Sequence, residues 1–226
     1  MDMLQRHDFL FLSREGAEFA RRSAYERAPE AGRRFIDELI LCPGPGQIPA
    51  IVKRQEERSP DTIEAGFSSY RFIDGCRFRV AAKIPRNGVL KAITPFELVR
   101  DMDKYGDPPR KEAVLRLYKA AFENGVELGV YGSTALGIVT SLPYVRPDSD
   151  IDVLVRKNEA DADLSGFYRE AVGIGKVCRT PLDIEIQTKN GYGAKLKELF
   201  SEQATVLAKG LYDVRIFGID EFKEFL

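Results

Sequence analysis

The chain has 226 residues, 44% of them hydrophobic and 31% charged. That composition excludes a disordered polymer and leaves room for one large domain or two small ones. Its 34 basic and 35 acidic side chains nearly cancel, to a formal net charge of -1, which excludes a blanket basic field of the kind that coats nucleic acid or membrane.

His7 to Leu12 reads as a short strand, and residues 15–25 and 31–39 read as helices. Cys42-Pro43-Gly44-Pro45-Gly46 can sustain neither helix nor ladder. Short β-like runs follow at 48–53, 62–67, 77–84 and 89–93. In the third, Phe78, Val80 and Ala82 alternate with Arg77, Arg79 and Ala81, the period of a half-buried strand. Asn87-Gly88 between two such runs signals a two-residue hairpin. Residues 1–93 are therefore expected to form a small N-terminal α+β domain.

Thr94-Pro95-Phe96-Glu97 starts a helix, with Thr as N-cap, Pro at N1 and Glu at N3, running to about Met102. Asp107-Pro108-Pro109 starts a longer one, with an apolar stripe of Ala113, Leu117, Ala120 and Ala121. Asn124-Gly125 ends it. Next come a strand at 127–131, a turn at Gly132-Ser133, a short helix to about Ser141 and a loop at 143–149. A strand at 151–155, a variable segment and a strand at 182–187 complete an α/β domain over 94–226. There is no internal repeat.

No apolar run reaches the ~20 residues of a membrane helix, and the N-terminus has no basic stretch leading into a long apolar block. The three cysteines, Cys42, Cys76 and Cys178, form no CxxC pair. A reduced, cytoplasmic protein is expected. With His7 the single histidine, a structural zinc site is not expected. Any Ser–His or Cys–His chemistry would have to use His7, and no GxSxG elbow accompanies it.

Three segments carry chemistry together. In Tyr131-Gly132-Ser133, a strand feeds a glycine that lets a phosphate approach the backbone. Ser133 and the first helical N–H groups can donate to that phosphate. The plainer alternative is that Ser133 only caps the helix. In Asp148-Ser149-Asp150-Ile151-Asp152, two acids spaced by two open an apolar run, although Asp is disfavoured in strands. Asp150 and Asp152 point to one face and repel unless a cation sits between them. Such oxygen ligands suit Mg²⁺; a hydrated strand end is the plainer reading. In Leu182-Asp183-Ile184-Glu185-Ile186-Gln187, Asp183 and Glu185 share the polar face. Either can supply a third carboxylate, with Glu185 slightly favoured.

Strand–Gly-Ser–helix, then DxD, then an acid on a later strand resembles the nucleotidyltransferase superfamily with its polymerase-β-like palm. The wording is narrower still. Thr140-Ser141-Leu142-Pro143-Tyr144 before Ser149-Asp150-Ile151-Asp152, Arg6-His7-Asp8 near the start, Pro49 to Arg54, and Leu182 to Glu185 resemble the phosphoribosyl-dephospho-CoA transferases. These are the malonate decarboxylase holo-acyl-carrier-protein synthases. The chain departs from that family at Leu136-Gly137, where a Trp-Gln pair is usual, at Lys53 for an arginine, and at Ile184 for a glycine.

The resemblance implies an α+β protein that moves a phosphoribosyl-dephospho-CoA group from triphosphoribosyl-dephospho-CoA to a serine of an apo acyl-carrier protein subunit, releasing pyrophosphate. It implies two Mg²⁺ ions on Asp150 and Asp152, with Glu185 or Asp183 completing the site, and Gly132 and Ser133 holding the β- and γ-phosphates. Arg146 and Lys53-Arg54 are weaker candidates for phosphate or CoA contacts. The N-terminal domain would recognise the dephospho-CoA or the carrier. The competing readings are a nucleotidyltransferase with another acceptor (a small molecule, another protein or an RNA end) and a non-catalytic binding protein on the same fold. The net charge of -1 argues against nucleic acid.

Overall fold

The computed structural model describes residues 4–41, 47–73 and 75–226; the Cys42–Gly46 breaker lies outside them. Strand β1 (Phe9–Leu12) leads into helix α1 (Arg14–Arg27), which Ser13 caps by accepting from the Gly16 N–H. Ala17, Ala20 and Ala24 give α1 a narrow buried stripe, so the helix lies close to its neighbours: a Cβ on Gly16 would meet the Gly88 carbonyl at 2.6 Å. The single helix expected over 31–39 is instead two short ones, α2 (Glu30–Arg33) and α3 (Ile36–Ile40). Gly32 is pressed against the Phe78 ring, and its carbonyl takes the Phe35 N–H at 3.0 Å. That tighter turn swings Ile36, Leu39 and Ile40 into the core.

Strands β2 (Ala50–Val52), β3 (Thr62–Ile73), β4 (Cys76–Pro85) and β5 (Val89–Ile93) complete a sheet ordered β4-β3-β2-β1-β5. This order corrects the hairpin expected at Asn87-Gly88. Those residues form a 3₁₀ turn between strands on opposite edges. Four strand spacings of a flat sheet measure roughly 19 Å, whereas the link from Pro85 to Val89 reaches about 14 Å at most. The sheet therefore curls, and α1 packs inside the curl against β4 and the turn. The true hairpin joins β3 to β4 at the Ile73–Cys76 pair, with Gly75 at φ +76°.

Helix α4 (Pro95–Leu98) begins with the expected Thr94/Glu97 capping box and passes into 3₁₀ turns to Lys104. Helix α5 (Pro108–Glu123) is capped by Asp107 and buries the expected stripe. Then come β6 (Val126–Val130), α6 (Gly132–Thr140), β7 (Ile151–Lys157), α7 (Leu164–Val177) and β8 (Leu182–Gln187). Beyond them lie β9 (Gly193–Lys195), β10 (Thr205–Lys209), β11 (Val214–Gly218) and α8 (Ile219–Glu224). The second sheet runs β11-β10-β9-β8-β7-β6, with β7 and β8 parallel and every other pair antiparallel.

The molecule is thus mixed α and β with two sheets and two cores. Alternation along β1 ties them together: Leu10 and Leu12 enter the core around α1, whereas Phe9 enters the core of the second sheet. No helix among the described residues is long and apolar enough to cross a membrane.

Candidate active site

The register of β7 and β8 builds the site. Their parallel pairing sets Asp152 beside Asp183 and Leu154 beside Glu185. Carboxylate oxygens of Asp150, Asp152 and Asp183 lie within 4.8 Å of one another. Of the two candidates for the third acid, this register brings Asp183, and not the slightly favoured Glu185, to Asp150 and Asp152. Glu185 sits two pairs further along β8, with Lys195 Nζ at 3.2 Å, His7 Nε2 at 3.5 Å and Arg6 Nη2 at 4.0 Å. Lys195 also reaches Asp183, at 2.5 Å.

These surroundings set the protonation states. Burial, then repulsion from Asp150 and Asp183, pushes Asp152 up to about 7. Burial alone would raise Glu185 as well, but its basic neighbours reverse this and bring it down to about 2. Burial holds His7 below its ordinary value, against the pull of Glu185, and among the contacts that bring Glu185 down, that of His7 comes ahead of Lys195 and Arg6. Arg6 Nη2 lies 3.1 Å from His7 Nε2. One Glu185 oxygen is left buried with no hydrogen-bond partner among the described residues.

Gly132 also has a job that its sequence context does not announce. It stands at φ +65°, the left-handed region that favours glycine. A Cβ there would fall 1.9 Å from Asp152 Oδ2. The missing side chain makes room for the Asp152 carboxylate itself. Tyr131 precedes it as the N-cap of α6 without a side-chain capping bond, and its N–H donates to the Asp152 carbonyl at 3.1 Å. Ser133 is thus a first-turn residue of α6 and not its cap. Its hydroxyl has no hydrogen-bond partner among the described residues and lines the cleft with Gly132, beside the free N–H groups and positive dipole end of the helix.

That cleft, about 990 Å³, lies between the two sheets. Asp150, Asp152 and Ser133 form one wall, and Lys53, Arg54, Arg77 and Arg79 of the first sheet contribute to the other. Arg146 lines it too, stacked on Phe72 at 4.8 Å and paired with Asp148 at 3.3 Å. Lys53 reaches Glu64 at 3.9 Å and Glu56 at 3.8 Å.

Sequence reasoning missed Arg110, Arg6 and Lys195. Arg110 is 5% exposed and donates to the carbonyls of Arg146, Ser149 and Asp150 at 2.9, 2.6 and 3.4 Å, so it holds the loop that delivers Asp150. Its place on the buried face of α5 was the available signal. His7 precedes β1 at φ +75°, its ring 4.2 Å from that of Tyr131; the sequence had placed it in the strand.

The donor set fits a hard divalent cation. All three converging groups are carboxylates, the ligand type Mg²⁺ prefers. Lys195 and Arg6 pair with Asp183 and Glu185, whereas Asp150 and Asp152 have no ion-pair partner among the described residues.

A family model described as the phosphoribosyl-dephospho-CoA transferase MdcG C-terminal domain matches residues 97–218. A phosphoribosyl-dephospho-CoA transferase of Bradyrhizobium diazoefficiens is 28% identical over 107 residues, 47% of this chain and 47% of that protein. The match thus spans about half the length of the curated relative. No solved structure matches the chain.

Proposed function

The chain belongs to the MdcG phosphoribosyl-dephospho-CoA transferase family, and from that premise we propose that it transfers the 2'-(5''-phosphoribosyl)-3'-dephospho-CoA group from its triphosphate precursor to a serine of the apo acyl-carrier subunit of malonate decarboxylase. The proposal includes a polymerase-β-like palm over 94–226 and a recognition domain over 1–93. The observation that carries it is the convergence of Asp150, Asp152 and Asp183 beside the Gly132-Ser133 start of α6.

In this reading the α6 N–H groups and the Ser133 hydroxyl receive the β- and γ-phosphates. Arg110 fixes the loop so that Asp150 stands next to Asp152. The acceptor oxygen bonds to the α-phosphorus, the bond to the α–β bridging oxygen breaks, and pyrophosphate leaves with that electron pair. The hydroxyl proton passes to water. Asp150, Asp152 and Asp183 would hold two Mg²⁺ ions, which supply charge neutralisation for the phosphate oxygens.

The test is to incubate the purified protein with Mg²⁺, the apo acyl-carrier subunit and the triphosphate precursor, alongside plain ATP, and to weigh the carrier by mass spectrometry. Addition of the prosthetic group with loss of pyrophosphate is expected. Labelling from ATP with none from the precursor sinks the assignment in favour of a nucleotidyltransferase with another acceptor.

A further inference from the structure

The three acids divide between two cavities. Asp150 and Asp152 line the large cleft, whereas Asp183 lines a second one of about 450 Å³. Its walls are the C-terminal half of α7, the start of β8, and Lys195 and Lys197. Four cations, Lys176, Arg179, Lys195 and Lys197, line this cavity, with Asp183 its single acid. Lys195 is engaged by Asp183 and Glu185, but Lys176, Arg179 and Lys197 have no ion-pair partner among the described residues. Val172, exposed on α7, lines the cavity, and Tyr168 in its wall stacks on the exposed ring of Phe200 at 5.3 Å.

Resting on the function proposed above, we propose that this second cavity is the docking site for the acceptor, an acidic protein surface that presents its hydroxyl on a protruding segment. The order of elements across the sheet supports it. The phosphate-receiving turn follows β6, Asp150 and Asp152 belong to β7 and its approach, and Asp183 lies on β8, with β7 in the middle. In phosphoryl transfer the entering and leaving oxygens stand roughly in line across the phosphorus. Pyrophosphate departing toward α6 on the β6 side thus requires the hydroxyl to enter from the β8 side, where the second cavity lies. A net positive rim beside exposed apolar groups suits an acidic protein face, since charge steers encounter and the apolar centre supplies contact. A single strand of nucleic acid would call for a longer basic track with stacking platforms, and three free cations do not provide one.

The triple charge reversal K176E/R179E/K197E tests this in the full chain. The KM for the apo carrier is expected to rise about tenfold or more, while the KM for the triphosphate donor holds. Raising the salt concentration should weaken wild-type use of the carrier much more than that of the variant. As an independent measurement, a benzoylphenylalanine at Val172 should cross-link to the carrier and one at Leu90, on the first sheet, should not. Wild-type carrier KM in the folded variant, or cross-linking from Leu90 and not from Val172, overturns the docking site while leaving the transferase reading intact. Wild-type protein that labels an RNA oligonucleotide in place of the carrier overturns the partner class. Wild-type protein that labels nothing overturns the transferase reading, and this inference with it.

Discussion

Each sheet holds a carboxylate away from bulk water, Glu64 buried and Asp152 half-buried on the cleft wall, and the two meet opposite surroundings. Glu64 on β3 is 4% exposed and fully provided for. Arg27 donates to its two oxygens at 2.6 and 3.0 Å, and Gln55 bonds both its N–H and its carbonyl, at 2.7 and 2.9 Å. Asp152 on β7 is set beside Asp150 and Asp183, with no ion-pair partner of its own among the described residues. Glu64 is a staple and Asp152 is a demand for charge from outside. Burial by itself does not mark a site; burial without a counter-charge does.

The largest expected break in this contrast is Asp150→Asn. Removing one ligand charge should lower transfer about 10³-fold, equivalent to several kcal/mol of transition-state stabilisation. The melting temperature should hold, because the Asp150 carbonyl that Arg110 bonds is retained. Single-turnover labelling of the carrier, with a thermal melt alongside, checks both halves. Gly132→Ala should come next: its Cβ occupies the place of the Asp152 carboxylate, and we expect transfer to fall about 100-fold. Gly173→Ala, in open space on α7, should cost no activity in the same assay.

On the other side of the comparison, Glu64→Gln removes the charge from the buried end of the pair with Arg27, which itself lies at the surface. We expect a loss of about 2 kcal/mol in denaturant unfolding, with kcat per folded molecule unchanged. The smallest effect is the dependence of metal stabilisation on pH. Asp152 titrates at about 7 in the fold against about 3.9 in an unfolded chain. The folded state therefore binds this proton more tightly, and the metal-free protein loses stability as pH rises from about 4 to 7. Mg²⁺ should relieve that cost where Asp152 is ionised, raising the melting temperature by a few degrees more at pH 8 than at pH 5. Equal shifts at both values in calorimetry would separate the cation from Asp152.

Local patterns explain what the sequence made legible. The capping box at Thr94 and Glu97, the alanine stripe of α5 and the alternation around Asp150 and Asp183 all lie within a few residues of one another. Choosing Asp183 over Glu185 was beyond that range: period-2 spacing places both on one face, and only the register against β7 selects between them. Asn87-Gly88 is a hairpin signal whose flanking strands pair elsewhere, because β5 prefers the free edge of β1. The strands after Gln187 escaped because Leu207 and Ile216 are apolar yet 49% and 71% exposed, which blurs the alternation. Lys195 and Arg6 reach Glu185 from distant positions and carry no local mark.

The imidazole at the seam between the sheets has a practical consequence. Because His7 has no second histidine to overlap it, its ring gives one isolated set of NMR resonances. The Tyr131 ring current and the nearby Glu185 charge both act on them. A single spectrum can then follow how the first sheet seats against the acids as donor and acceptor are titrated in, without any introduced label.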